Sequence, residues 1–492
     1  MKDKSFILAV FLFLIGSIWG MDASANPPDI LWYRIYGGNG SDYARSVEQT
    51  FDGGYVFAGN TTSFGSDSND VYIVKTDSQG DTMWTRLYGG ADYDAANSVH
   101  QTVDGGYIIA GDTRSFGAGD RDLYLMKTDS CGDTVWSHTY GHEGLDEGFC
   151  VQQTNDSGYI FSGWTEPFIG DLFDMYLVKT NGVGDTLWTR TYGGNDDRAA
   201  YSVEQTSDGG YIVAGCNPFY GGVEYDAYLV KTDSIGDTLW TRSYGGSETE
   251  GAIYAQQTSD EGYIVAGYTR SFGAGLTDIW ILKTDNNGDT LWTRTYGGSN
   301  QEGIASIRQI ADGGYIILGN TSSYGAGGYD LYLIRTDSLG DTLWTLVYGG
   351  PDNDTGSSLD LTEDCGYIVA GYVWNWELPA DCFLLKTGPD TSSTHAPAIE
   401  WVSHPKDFVL HPAYPNPFNP LTTISFDLPF QSHINMNIYN ILGERVVVLM
   451  DGILTSGNHQ IQWNASDFPS GIYFCRMQAG GFQQVQKLLL LK

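Results

Sequence analysis

The 492-residue chain is short of positive charge: 25 Lys and Arg stand against 60 Asp and Glu, a formal balance of −35. A surface of that sign repels phosphate backbones and anionic headgroups, which excludes a protein that coats nucleic acid or lies on an acidic membrane. Cysteine is scarce, with six residues (Cys131, Cys150, Cys216, Cys365, Cys382 and Cys475) and no C-x-x-C pair. That pattern gives no ground for a redox or cysteine-metal centre; packed single thiols are expected, with disulfides, which an even count invites in an exported chain, as the alternative. Past residue 20 no apolar run is long enough to cross a bilayer as a helix. No stretch there keeps helical periodicity over a dozen residues. The G-x-S-x-G, H-E-x-x-H and P-loop signatures of common enzyme classes do not occur. What the chain does have is 64 Gly, 33 Tyr and 14 Trp. Aromatic content of this order argues against long disorder.

Lys2 and Lys4 precede the apolar run of residues 5–20, and Ala23-Ser24-Ala25 follows. A basic start, a short greasy core and small residues at A-x-A spacing predict a secretory signal peptide over 1–25, cleaved after Ala25. The run is shorter than the roughly 20 residues a membrane span needs.

The strongest signal is a repeat. Trp32, Trp84, Trp136, Trp188, Trp240, Trp292 and Trp344 recur at a step of 52 residues. Tyr55, Tyr107, Tyr159, Tyr211, Tyr263, Tyr315 and Tyr367 keep the same step, as does the Gly59 to Gly371 series. Each unit reads as four strands. In one copy these are YSVEQT, YIVAG, DAYLVKT and TLWTRSYG, joined by Asp- and Gly-rich turns. The third strand shows period-two alternation. A period near 50 residues points to propeller blades. The array opens on a fourth strand at Asp29–Trp32 and stops after a third strand at Phe383–Thr387. The expectation is therefore an all-β, seven-bladed β-propeller over 26–388, closed by the N-terminal strand completing the last blade. An open β-solenoid would leave those offset ends unexplained.

Features present in every unit are expected to be scaffold. The Trp and Tyr series predict packing between blades, and the Gly series a close backbone approach. Asp52 and its six equivalents predict turn caps, and the Asp70 series predicts bonds to the preceding loop. The turn at Thr76–Trp84 resembles the Asp-box turn of sialidase-like propellers, and the resemblance implies a turn role alone.

Two features break the symmetry or crowd charge. Trp374 and Trp376 stand in a long loop where other units carry small residues, a candidate aromatic platform for a sugar or a partner chain, or else local packing. Asp42, Asp94, Asp146, Glu250, Glu302 and Asp354 fall on one repeat phase, with Arg198 in the seventh place beside Asp196 and Asp197. They either gather a cation such as Ca2+ at the mouth of the ring or bond their own loops. No other cofactor is implied. Paired carboxylates could also hydrolyse or eliminate glycans, but 60 acidic residues make chance pairs common.

Composition changes at Pro389. Residues 389–408 read as a linker. Beyond it, strand candidates at 422–428, 433–440, 443–450, 458–464, 471–478 and 482–491 suggest an immunoglobulin-like β-sandwich over 409–492. Tyr414-Pro415-Asn416-Pro417-Phe418, the turn around Gly443, the Gly471-Ile-Tyr473 segment and the final stretch from Lys487 resemble the type A sorting domain of the type IX secretion system. They are similar too to the immunoglobulin-like domain of flagellar hook-capping proteins. The resemblance implies that the type IX machinery is a partner and that the chain passes through the periplasm. The resemblance also implies that the chain ends secreted or on the outer-membrane surface, with the tail often removed. A plain adhesive sandwich is the alternative. The propeller resembles repeat-rich bacterial surface proteins.

The expected function is a non-enzymatic secreted or surface propeller that binds a glycan or protein. A glycan-active hydrolase or lyase with carboxylates on the loop face is the second expectation, and a display scaffold without ligand the third.

Overall fold

The computed structural model describes residues 26–66, 68–166, 173–193, 198–216, 225–375, 378–391, 408–428, 432–454, 457–479 and 482–492. Every regular element among them is a β-strand. The signal-peptide residues, Ala25 included, lie outside this set, as do Asp196, Asp197 and Trp376.

Each 52-residue unit folds as expected into one four-stranded antiparallel sheet, in sequence order. In the first, Asp42–Gln49, Tyr55–Thr61, Asp70–Thr76 and Thr82–Tyr88 lie side by side. Six sheets have this form. In another, Asn353–Leu361, Tyr367–Trp374 and Asp381–Thr387 are joined by the N-terminal strand Ile30–Tyr36, which pairs antiparallel to Asp381–Thr387 with Tyr33 opposite Leu385. The first strand of each sheet lies against the first strand of the next, and Asp42–Gln49 also lies against Asn353–Leu361.

The apolar core is divided into layers between neighbouring sheets. Val56 and Ala58 of one sheet, for example, pack on Ala96, Val99 and Ile109 of the next. Second and third strands are therefore covered on both faces. Tyr55–Thr61 and Asp70–Thr76 are buried at every position. This corrects the alternation read from the third strand: its polar phase is buried too, because Lys75 and its equivalents are enclosed against a carboxylate. Lys75 Nζ lies 2.9 Å from Asp52 of the first hairpin turn and donates to the Thr76 carbonyl at 2.8 Å. Alternation is clear in fourth strands such as Thr82–Tyr88, which have solvent on one side.

The Trp and Tyr series form the junctions. Trp84 of one sheet meets Tyr107 of the next edge-on, with centroids 5.8 Å apart. Trp32 and Tyr55 do the same at 5.7 Å. Gly59 answers to the predicted close approach: a Cβ there would lie 1.8 Å from the Tyr43 carbonyl oxygen.

In the C-terminal part, the predicted strands appear at Leu421–Leu428, Ser432–Tyr439, Arg445–Leu454, Gly457–Asn464, Gly471–Ala479 and Phe482–Leu490. Two sheets form, one of three strands with Val409–Leu410 at its edge and one of four. Both line a core that holds Phe418, Phe426, Trp463 and Tyr473. Asp390, inside the stretch read as linker, is fixed to the repeat array. Its backbone N–H donates to Cys365 O at 2.8 Å, and its carboxylate accepts the Tyr367 hydroxyl at 2.6 Å. All six cysteines are free thiols.

Candidate functional site

The six carboxylates on the shared repeat phase are buried. Each stands at the start of the first strand of its sheet, Asp354 one residue in, and ties the preceding turn in place. Asp42 accepts the Gly38 N–H at 2.9 Å, the Ser63 hydroxyl at 2.5 Å and the Thr61 hydroxyl. Asp94 accepts Gly90 N–H at 2.8 Å, and Asp146 accepts His142 N–H at 2.8 Å. Glu250 and Glu302 accept Gly246 and Gly298 N–H at 2.8 and 2.9 Å, and Asp354 accepts Gly350 N–H at 2.7 Å. Each therefore bonds its own loop. Among the described residues no group of three or more His, Cys, Asp or Glu could hold a metal ion. In the seventh position the Arg198 guanidinium lies 4.3 Å from the Tyr228 ring centroid.

The Asp70 series meets the same turns from the neighbouring sheet. A Cβ on Gly89, whose φ is +150°, would lie 2.5 Å from Asp70 and 2.6 Å from Asp94. Only glycine lets the two carboxylates close around the chain. Two groups in this series respond to the crowding. Asp226 is pushed up by burial and then by Glu250. Asp330 is pushed up to about 6 by burial and by Asp354.

Trp374 ends the strand Tyr367–Trp374 and lines an open cavity of about 390 Å³. Tyr372, Tyr329, Asn320, Gln301 and Arg270 share its walls. The Tyr329 hydroxyl donates to the Gln301 side-chain oxygen at 2.6 Å, which fixes the amide with its N–H2 turned to other acceptors. Tyr43 meets Tyr372 edge-on at 4.9 Å. These residues sit where first strands begin and second strands end, the end of the array that carries the long variable loops.

The same end holds an asymmetric charged cluster that sequence reasoning missed. Arg121 lies 2.9 Å from Glu147 and 3.4 Å from Asp112. The Trp164 indole N–H donates to Glu147 at 3.1 Å. Asp112 is buried and pushed up to about 7, by burial first and then by Glu147, with Arg121 opposing. Further along the first strands, Glu48 faces His100 at 3.3 Å and Arg308 faces Asp360 at 3.9 Å, each pair on adjacent sheets. The usable signal was variation: Glu48, His100, Arg308 and Asp360 share a repeat phase whose chemistry varies between units.

The tail residues have structural roles. Asn416 donates to Lys487 O and accepts from Leu489 N–H, both at 2.8 Å. Pro415 O accepts the Thr422 hydroxyl at 2.8 Å, and Phe418 packs on Trp463 at 5.3 Å. The Tyr473 hydroxyl donates to Pro469 O at 2.8 Å. Gly443 takes φ +79° in a turn capped by Asn440. Gly471 opens a strand opposite Leu490, Tyr414 is exposed, and Lys487 sits on the last strand.

Residues 412–491 match the family model of the secretion system C-terminal sorting domain. The chain carries a type IX sorting tail. It is exported by that route, to the cell surface or the medium. A 174-residue stretch is 30% identical to the regulatory protein FlaEY of Caulobacter vibrioides, covering 30% of this chain and 18% of that protein. The chain thus spans under a fifth of that relative's length. Among solved structures, Sqt1 from Chaetomium thermophilum is 11% identical, covering 72% of this chain and 85% of its own, at a TM-score of 0.42. The β-propeller domain of the Trilobed protease from Pyrococcus furiosus is 9% identical over 75% of this chain and 99% of its own, at 0.40. A puromycin hydrolase is 13% identical over 79% of this chain and 59% of its own, at 0.46.

Proposed function

We propose that the protein is a secreted or surface-displayed glycan-binding propeller. In this reading residues 1–25 are a signal peptide, 26–388 a closed seven-bladed ring, 389–408 a connection and 409–492 an immunoglobulin-like sorting domain. The pairing of Ile30–Tyr36 with Asp381–Thr387 supports the closed ring.

One observation carries the functional reading: the cavity walled by Trp374, Tyr372 and Tyr329 together with the amides of Gln301 and Asn320. Aromatic faces stack on the C–H faces of a sugar ring, and amides exchange hydrogen bonds with its hydroxyls. The test is equilibrium binding of the intact chain to a panel of polysaccharides, with released sugar measured in parallel. Binding without turnover is expected, with a loss of at least tenfold in Trp374→Ala. Undiminished binding by that variant removes the cavity from the account.

A second reading, glycan hydrolysis, draws on Asp112 and Glu147. Both face Arg121, and burial holds one carboxyl up to about 7. A buried carboxyl held up beside a second carboxylate suits acid–base work. Sugar release that vanishes in Glu147→Gln would favour it.

A further inference from the structure

Most basic residues of the array are paired with carboxylates. Lys75, Lys127, Lys179, Lys231, Lys283 and Lys386, with Arg335 in the seventh place, each pair with the Asp of a hairpin turn. Arg34, Arg86, Arg190, Arg242 and Arg294 each pair with an Asp in the neighbouring sheet's outer turn. Arg121 and Arg308 also have carboxylate partners. Arg45, Arg114, Arg198 and Arg270 remain, and none of them forms an ion pair with a described residue. In a chain with 60 acidic residues this is a marked exception.

All four lie at one end. Arg114 and Arg270 directly follow the second strands Tyr107–Thr113 and Tyr263–Thr269, Arg198 directly precedes the strand Ala199–Gln205, and Arg45 is in the first strand Asp42–Gln49. One of them lines the Trp374 cavity, and a second, Arg45, acts on its Tyr372 wall as well as on Asp112. Arg270 is exposed and forms part of the cavity wall. Arg45 is exposed and close enough to Tyr372 for its charge to oppose the rise that burial imposes on the phenol. Its Nε donates to Asn60 at 3.3 Å, which aims the side chain. The Glu302 carboxylate in the wall is already engaged by Thr321 and Gly298.

Resting on the glycan reading above, we propose that the cavity selects an acidic glycan, one that carries carboxylate or sulfate groups beside a stackable sugar face. A guanidinium offers a planar fork of donors that matches a carboxylate or a sulfate edge. The net negative charge opposes approach from afar. That repulsion is screened beyond about 8 Å at physiological salt, whereas the guanidinium contact acts at about 3 Å.

The test measures binding of the intact chain at 150 mM salt to polygalacturonate, its fully methyl-esterified form, dextran sulfate and unmodified dextran. At least one acidic polymer is expected to bind tenfold or more tightly than its neutral counterpart. Preference within the polygalacturonate pair assigns a carboxylate, and preference within the dextran pair assigns a sulfate. Arg270→Gln, checked for an unchanged melting curve, is expected to bring that ratio towards one, and Arg45→Gln to lower it. Equal binding of acidic and neutral forms, with loss of both in Trp374→Ala, overturns the acidic-ligand proposal and leaves the glycan reading standing. Failure of all four polymers in the unaltered chain, with a wider neutral panel also silent, overturns both.

Discussion

The Tyr36 hydroxyl donates to the carbonyl oxygen of Gly80 at 2.7 Å. Tyr36 ends the N-terminal strand, and Gly80 lies in the outer turn of the sheet that begins at Asp42. Tyr140 and Gly184, Tyr192 and Gly236, and Tyr244 and Gly288 make the same bond between later sheets, each at 2.6 Å. The inner strands repeat the equivalence. Val47 N–H donates to Ser358 Oγ at 3.2 Å, as Val99 N–H does to Ser46 Oγ at 3.1 Å. The contact between the first and last units repeats bonds that join other neighbouring units of the array.

It follows that Tyr36→Phe and Tyr192→Phe should cost alike. Each removes one buried hydroxyl donor and leaves a carbonyl without it, worth about 1 kcal/mol. Chemical denaturation of the two variants should give shifts that agree within about 0.5 kcal/mol. A negligible shift in Tyr36→Phe alone would mean that the first and last units do not meet in solution.

Carboxylates of opposite tendency should give opposite pH responses. Asp330 is pushed up to about 6 by burial and Asp354. A carboxyl raised in the folded state contributes fully below its unfolded value of about 4, and that contribution is lost as pH rises through about 6. Asp330→Asn keeps an acceptor for the Ala326 N–H and should raise the melting temperature at pH 8 while leaving it unchanged at pH 4. A fall at pH 8 would contradict the assignment.

Asp52 is the converse. Burial works against its charge, but the Thr50 hydroxyl, the Lys75 ammonium and the Gly54 N–H together hold it below the usual carboxylate range. Its contribution is present above an unfolded value of about 4 and is lost as pH falls through the lower folded value. Asp52→Ala leaves the enclosed Lys75 ammonium without a carboxylate and should cost about 2 kcal/mol at pH 7, less than a fully buried pair because Asp52 is half-exposed. The penalty should shrink towards pH 3. A penalty that is constant with pH would show that the ion pair is not its source.

Calcium provides a further check. Asp42, Asp94, Asp146, Glu250, Glu302 and Asp354 all bond loop N–H groups. Millimolar calcium should therefore leave the melting temperature of the intact chain unchanged. A rise of several degrees, abolished by Asp94→Asn, would restore a cation to the mouth of the array.

The 52-residue step made the sheets, their four strands and the Trp–Tyr junctions legible, because a residue that recurs in every unit must meet the same neighbour in every unit. It could not show which phases meet between units. The Lys75 series looked like the polar side of a strand, and only the stacking of sheets reveals it as buried and paired with the Asp52 turn. Asp70 and Asp94 belong to different phases, so their convergence on Gly89 was invisible until the sheets were placed side by side. The candidate cavity was half legible. Trp374 stood out by breaking the pattern, whereas Arg270 and Tyr329 are far from it in sequence and ordinary in composition.

The central claim is that Ile30–Tyr36 is an integral strand of the last sheet. Amide hydrogen exchange of the intact chain, resolved by peptide, tests it most directly. Protection over Ile30–Tyr36 should match that over Thr186–Tyr192 to within about tenfold, with Asp381–Thr387 as strongly protected as Asp174–Thr180. Rapid exchange through Ile30–Tyr36, with Asp381–Thr387 exposed as an open edge, would contradict the account.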